Sequence, residues 1–211
     1  MGFWMTLSRH EAVQVQALLN HPEGAQAGRE RLRGAWNQGG LCAFLNEGDV
    51  LREPQENVPT LDFIEQNDDI KRNWDGLHVL LTGCADHDEV EHNEPCGWAP
   101  ARDVVMGGLA LAEVGSTERP LDIPLLLTPA EVRAVHSFLC DIDASRLVRE
   151  RARLVENAGV YSFHMNVGLP DGSSRVMSMV EDGSLAESLE GVRGFYARAA
   201  ASGNAVIKEI A

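Results

Sequence analysis

Long apolar runs are missing from this 211-residue sequence. No stretch reaches the roughly 18 apolar residues that a membrane-spanning helix needs. The opening MGFWMTLSRHE has no basic start followed by an extended apolar segment, so it does not read as a secretory signal, and the expected location is the cytoplasm. Basic residues are also scarce, 18 Lys and Arg against 32 Asp and Glu, which gives a formal charge of −14. Such a field repels phosphate backbones and anionic headgroups over about 8 Å in physiological salt, and this argues against nucleic acid and membrane surfaces as partners. It attracts and steers a basic protein partner. The four cysteines, Cys42, Cys84, Cys96 and Cys140, are too sparse for a disulfide scaffold, which leaves metal binding or plain packing. There is no phosphate loop, dinucleotide fingerprint, G-x-S-x-G elbow or H-E-x-x-H helix, so the well-marked enzyme classes are unsupported. Neither an internal repeat nor a Pro/Ser/Gly linker divides the chain, and one domain over 1–211 is expected.

What remains is a mixture of strands and helices with legible punctuation. A short strand is expected over Gly2–Leu7, and Ser8-Arg9-His10-Glu11 offers a capping box for a helix ending near Asn20. A second helix is expected over Gln26–Trp36, followed by an irregular insertion near 37–60. Between Leu61 and Leu81 the positions Ile70, Trp74, Leu77 and Leu81 recur at helical spacing, with Gly83 placed as a left-handed C-cap. Leu109–Val114 reads as a strand. Thr128-Pro129-Ala130-Glu131 combines an N-cap, a first-turn proline and a capping-box carboxylate for a helix to about Cys140. Asp143 caps another helix through Glu156, Gly159–His164 reads as extended, and Arg175–Val180 alternates between strand and helix. A last amphipathic helix opens at Ser184 and runs to about Ser202, and Ala205–Ile210 closes as a strand. Several helices packed on a small mixed or antiparallel sheet is an α+β domain.

Two constellations carry chemistry. Cys84, His87, His92 and Cys96 form C-x2-H-x4-H-x3-C in an acidic segment, a thiolate and imidazole set of the kind zinc prefers, set against the plainer reading of solvated histidines. Asp75 and His78 lie three apart on the Leu61–Leu81 helix and share a face, so a carboxylate could hold the imidazole as a general base, set against a hydrogen-bonded core histidine. Cys42 and Cys140 sit among apolar neighbours and read as packed thiols.

The run Asp69-Ile70-Lys71-Arg72-Asn73-Trp74-Asp75-Gly76-Leu77-His78-Val79-Leu80-Leu81-Thr82-Gly83 closely resembles the signature helix of the YfbM-like family, bacterial proteins of no established activity. Gly107-Gly108, Leu127-Thr128-Pro129-Ala130-Glu131-Val132, Ala158-Gly159-Val160-Tyr161 and the ending Phe195–Val206 agree in order. The resemblance implies a compact α+β domain with the signature helix packed centrally, and no reaction. Trp74, His78, Thr82 and Gly83 match the pattern. Lys71 stands where relatives commonly carry an acid, Ser162 where they carry proline, and Asp75 is not acidic in many of them. Two functional readings follow. One is a non-catalytic binding protein, in its sharpest form an immunity-type protein engaging a basic partner, with no cofactor and as a monomer or homodimer. The other is a small hydrolase-like enzyme using His78 beside Trp74, with Thr82 or Asp75 in support and Trp74, His78 and Gly83 as ligand contacts. Zinc at Cys84, His87, His92 and Cys96 is compatible with either.

Overall fold

Strands at the two ends of the sequence lie side by side in the sheet. The computed structural model describes residues 5–39, 61–62, 64–71, 73–84, 99–111, 123–158, 160, 165–168 and 174–210. β1 (Met5–His10) pairs antiparallel with β7 (Ala205–Ile210), so that Met5 faces Ile210 and His10 faces Ala205. β2 (Glu65–Lys71) flanks β1, while β4 (Leu125–Leu127) and the two-residue β3 (Leu109–Ala110) extend the other side, giving the order β2-β1-β7-β4-β3 with every pairing antiparallel. β5 (Met165–Gly168) and β6 (Ser174–Met177) form a separate ladder. The helices are α1 (Ala12–Leu19), α2 (Ala25–Gly39), α3 (Trp74–Thr82), α4 (Pro129–Asp141), α5 (Ala144–Asn157) and α6 (Ser184–Ser202). This is the expected α+β architecture in one compact domain.

Strand alternation divides the interior in two. Successive side chains point to opposite faces of a strand. Leu7, Leu127, Val206 and Ile210 therefore pack with Leu77 and Leu80 of α3, Val135 and Leu139 of α4, and Val192 and Phe195 of α6. Leu126, Ala205 and Ile207 meet Val15 and Leu18 of α1 and Leu32 and Trp36 of α2 on the other face. Each fully buried Leu or Phe contributes about 1.5–3 kcal/mol, so both layers are needed.

Local signals placed the helix ends well. Thr128 Oγ1 accepts from Glu131 N at 3.4 Å while Glu131 Oε2 accepts from Thr128 N at 2.7 Å, a complete capping box. Asp143 Oδ1 accepts from Arg146 N at 2.9 Å. Two arginines close helix C-termini. Arg193 donates to the carbonyls of Leu139 and Ile142 at the end of α4, and Arg151 to those of Leu80 and Leu81 at the end of α3.

Three expectations need correction. The helix read from Leu61 to Leu81 is β2 followed by α3, because ladder bonds to β1 hold 65–71 extended. Ile70 lies four residues before Trp74 and mimics a helical stripe, yet it enters the core from a strand. Ser8-Arg9-His10-Glu11 does not cap a helix. Ser8, Arg9 and His10 belong to β1, and Glu11 precedes α1 without a side-chain cap bond. The strand expected at Gly2–Leu7 accordingly runs on to His10. Glu65 then fastens β2 sideways: its carboxylate receives Arg198 and Arg9, and those bonds hold it below the usual carboxylate range. The proposed insertion near 37–60 lies almost wholly outside the described residues.

Candidate functional site

α3 carries the residues singled out in the sequence, and it is buried almost along its whole length. Trp74, Asp75 and His78 are buried, as are Leu77, Leu80 and Leu81. Its start is tied to α6 by Asn73 Nδ2, which donates to Ser188 Oγ at 2.9 Å. Gly76 lets Met179 approach, since a Cβ there would stand 2.2 Å from the thioether sulfur. Thr82 Oγ1 donates to the His78 carbonyl at 2.8 Å and accepts from Cys84 N at 3.1 Å. Its proton is committed to the helix end, which suits a cap. Gly83 adopts φ +81°, the left-handed C-cap that its position predicts. Thus Trp74, Asp75 and His78 are brought together inside the molecule, while Thr82 and Gly83 finish the helix.

Of the zinc candidates, Cys84 is held in a disulfide, and His87, His92 and Cys96 lie outside the described residues. A disulfide sulfur has no thiolate to offer, so zinc ligation and the disulfide are alternatives at Cys84.

Next to α3 is a turn that begins as a short 3-10 helix, Arg102–Val104, and ends at Gly107. Its carbonyls are met by side chains from two other elements. Lys208, fully buried on β7, donates from Nζ to the carbonyls of Asp103, at 2.6 Å, and Gly107. Tyr196 Oη of α6 donates to the Val104 carbonyl at 3.0 Å. Burial pushes the Lys208 ammonium down to about 7, against the attraction of the Asp103 carboxylate, and pushes the Tyr196 phenol upward. Asp103 is itself paired with Arg102, Nη2 to Oδ1 at 3.0 Å. The glycines are steric requirements. A Cβ on Gly107 would lie 1.8 Å from Asp103 Oδ1, and one on Gly108, at φ +124°, would lie 2.7 Å from the Leu126 carbonyl oxygen. Lys208 went unnoticed in the sequence, although its alternation with Val206 and Ile210 puts it on a core-facing row.

Segments far apart in sequence, α3, the 102–108 turn, the capping box of α4 and the last helix and strand, therefore interlock. The chain matches the domain of unknown function DUF1877 over residues 1–208. It belongs to the DUF1877 family. Among solved structures it is similar to YfbM from Escherichia coli, a protein of unknown function, at 17% identity with 99% of each chain covered and a TM-score of 0.50, a likeness of fold. No curated protein matches.

This DUF1877 chain holds a second buried polar group that its sequence did not advertise. His10 Nδ1 lies 2.9 Å from the Asp62 carbonyl, which can only accept, so Nδ1 carries the proton. Nε2 is then bare and faces Ser8 Oγ at 2.8 Å, while that hydroxyl also lies 3.2 Å from the Ile207 carbonyl. The ring edge meets Trp36, centroid to centroid 5.5 Å. A hydroxyl, an imidazole and an orienting acceptor form a nucleophile-and-base geometry, yet Ser8 and His10 have no exposed surface, and the group ties β1 to β7 and to the 61–64 segment. The signal in the sequence was Ser-x-His within a strand, which puts both side chains on one face.

Burial lowers His10 from 6.5 to about 4. The unfolded chain therefore binds a proton between those values that the folded chain refuses, and stability falls as pH drops from 6.5 toward 4, by about 3 kcal/mol in total. Chemical denaturation across that range should show this slope in the wild type and a flatter one in His10→Gln.

Proposed function

We propose that this protein is a non-catalytic binding protein that engages a basic partner. The observation carrying the reading is where the exposed apolar groups sit. Val13 and Ile64 are the two most exposed large hydrophobic residues among those described, at 70% and 45%. Gln14 Nε2 donates to Asp62 Oδ2 at 3.0 Å and Ile64 N donates to the Arg9 carbonyl at 3.0 Å, so both belong to the same end of β1. Exposed Glu11 and Asp62 flank them. Apolar anchors with an acidic rim suit a partner that presents apolar side chains among Lys and Arg. The wider surface agrees: among the described residues exposed carboxylates outnumber exposed guanidinium groups 11 to 6. The residues that resemble the family signature, Trp74 and His78 above all, are buried, which supports a shared scaffold over a shared reaction. An immunity-type protein that neutralises a basic toxin is the specific form of this reading.

The test is capture from a lysate of the native host by tagged wild type and by a Val13→Arg, Ile64→Arg double variant. A stoichiometric basic protein should be retained, released by salt, and lost with the double variant. Failure to retain any partner, or equal retention by both, would overturn the reading. The hydrolase alternative at His78 requires hydrolytic turnover that His78→Gln abolishes while the melting temperature is kept.

A further inference from the structure

We propose that Lys208 latches the 102–107 turn over α3 as an amine that sheds its charge inside the fold, and that opening this turn takes up one proton. The geometry suits an amine better than an ammonium. Nζ donates to two acceptors, the carbonyls of Asp103 and Gly107. The two N–H groups of a neutral amine satisfy both, whereas the third proton of an ammonium meets no acceptor among the described residues, in a side chain left 1% exposed. The surrounding charges divide. The turn brings the Asp103 carboxylate, which favours a cation, and the Arg102 guanidinium, which opposes one. These two are paired with each other. Glu131 of α4 favours the cation, and α6 contributes only the neutral phenol of Tyr196. The neighbours across the sheet, Leu7 on β1 and Leu125 on β4, carry no charge. Burial is the largest of these influences and leaves the folded group at about 7, against 10.5 for a lysine in water.

The turn stands between this amine and solvent. Asp103, Val104, Val105 and Gly107 are buried, whereas Gly108 is exposed and Arg102 and Met106 are half-buried. Val104 and Val105 share a core layer with Trp74, Leu77 and Leu80, so a turn that lifts away uncovers α3 together with Nζ. A lysine amine that meets water below pH 10.5 becomes an ammonium. Opening therefore consumes a proton between pH 7 and 10.5. Its equilibrium constant rises about tenfold for each unit that pH falls, and levels off once the folded group is itself charged. Alkaline conditions lock the turn and neutral ones loosen it.

Two measurements on the full chain test this. The sequence holds two lysines, Lys71 and Lys208, so Lys71→Arg leaves one, whose side-chain carbon-13 NMR signal should titrate at about 7 in the folded protein. Hydrogen exchange reads the opening itself. The amides of Met106 and Gly107, bonded to the Arg102 carbonyl, report on the turn, and that of Asn20, which closes α1 in the other layer, is the reference. Base-catalysed exchange speeds up about tenfold per pH unit, so proton uptake on opening should cancel the rise and hold the Met106 and Gly107 rates nearly constant from about pH 7.5 to 9.5 while the Asn20 rate climbs. In Lys208→Met the turn amides should climb as well. A lysine signal that titrates near 10.5, turn amides that climb with pH in the wild type, turn amides that stay level in Lys208→Met, or turn amides that exchange no faster than Val206 in the middle of β7 would each overturn the proposal.

Discussion

Lys208→Ala should lower the stability of the domain by about 3–5 kcal/mol, which is roughly 10 °C or more in melting temperature for a chain of this size. Three losses combine. The carbonyls of Asp103 and Gly107 lose their donor inside the protein, the Asp103 carboxylate loses a nearby cation, and a space the length of a lysine stem opens in the interior. Lys208→Met refills most of the space but supplies no donor, so it should recover only part of the loss. The wild type should also have a pH signature that both variants lack. The folded ammonium is pushed down to about 7 from the ordinary 10.5, so between those values the unfolded chain carries a proton that the folded chain does not. Stability therefore rises as pH climbs from 7 toward 10.5. Urea midpoints across that window would detect it, and a slope equal to that of Lys208→Met would remove Lys208 as its source.

Gly28→Ala should be nearly as damaging, by about 3 kcal/mol, although alanine is the better helix former. Gly28 is buried near the start of α2, and a Cβ there would sit 2.1 Å from the Leu19 carbonyl oxygen and 2.8 Å from its carbon. The obstacle is backbone, so α1 and α2 must separate, and Leu32 and Trp36 leave their places against the sheet. Gly194→Ala in α6 provides the contrast. The nearest obstacle there is the tip of Arg198, 3.3 Å away and movable, so the gain in helix propensity of up to about 1 kcal/mol should prevail. Thermal melts of the two variants should move in opposite directions; a shared direction would mean that the Leu19 contact does not govern the first.

These contrasts show which parts of the molecule were legible in its sequence. Several helix ends were, because a capping residue acts over three or four neighbours: Thr128 with Glu131, Asp143, and Gly83 at the end of α3 stand as their spacing predicts, whereas the box read at Ser8 to Glu11 lies in and just after a strand. Pairing partners were not. β2 is made by β1, which lies far away in sequence, and its Ile70 stands at a helical interval from Trp74 by coincidence of register. Cys140 was misread because its neighbours in sequence are apolar, although successive helix residues turn by about 100° and Leu139 can face the core while Cys140 faces water. Of the candidate site, the placement of Trp74, Asp75 and His78 on one helix was legible, and the family resemblance implied that this helix is packed centrally, but the elements that close around it, α5, α6 and the 102–107 turn, were not legible. Lys208 and the Ser8 and His10 pair escaped for a related reason: a polar residue in a short strand looks solvated until the layer above it is known.

The pairing of β1 with β7 also sets the order of events during synthesis. β1 is made well before β7, and the two can pair only after everything between them has been made. Until then the helices that dock on β7 have an incomplete sheet beneath them, with core-facing rows such as Leu7 and Leu127 exposed. Pairings of such long sequence separation are slow to close and aggregation-prone while they wait. Chains interrupted before residue 205 should therefore be the species that chaperones hold and proteases remove, whereas synthesis of β7 lets both layers close at once.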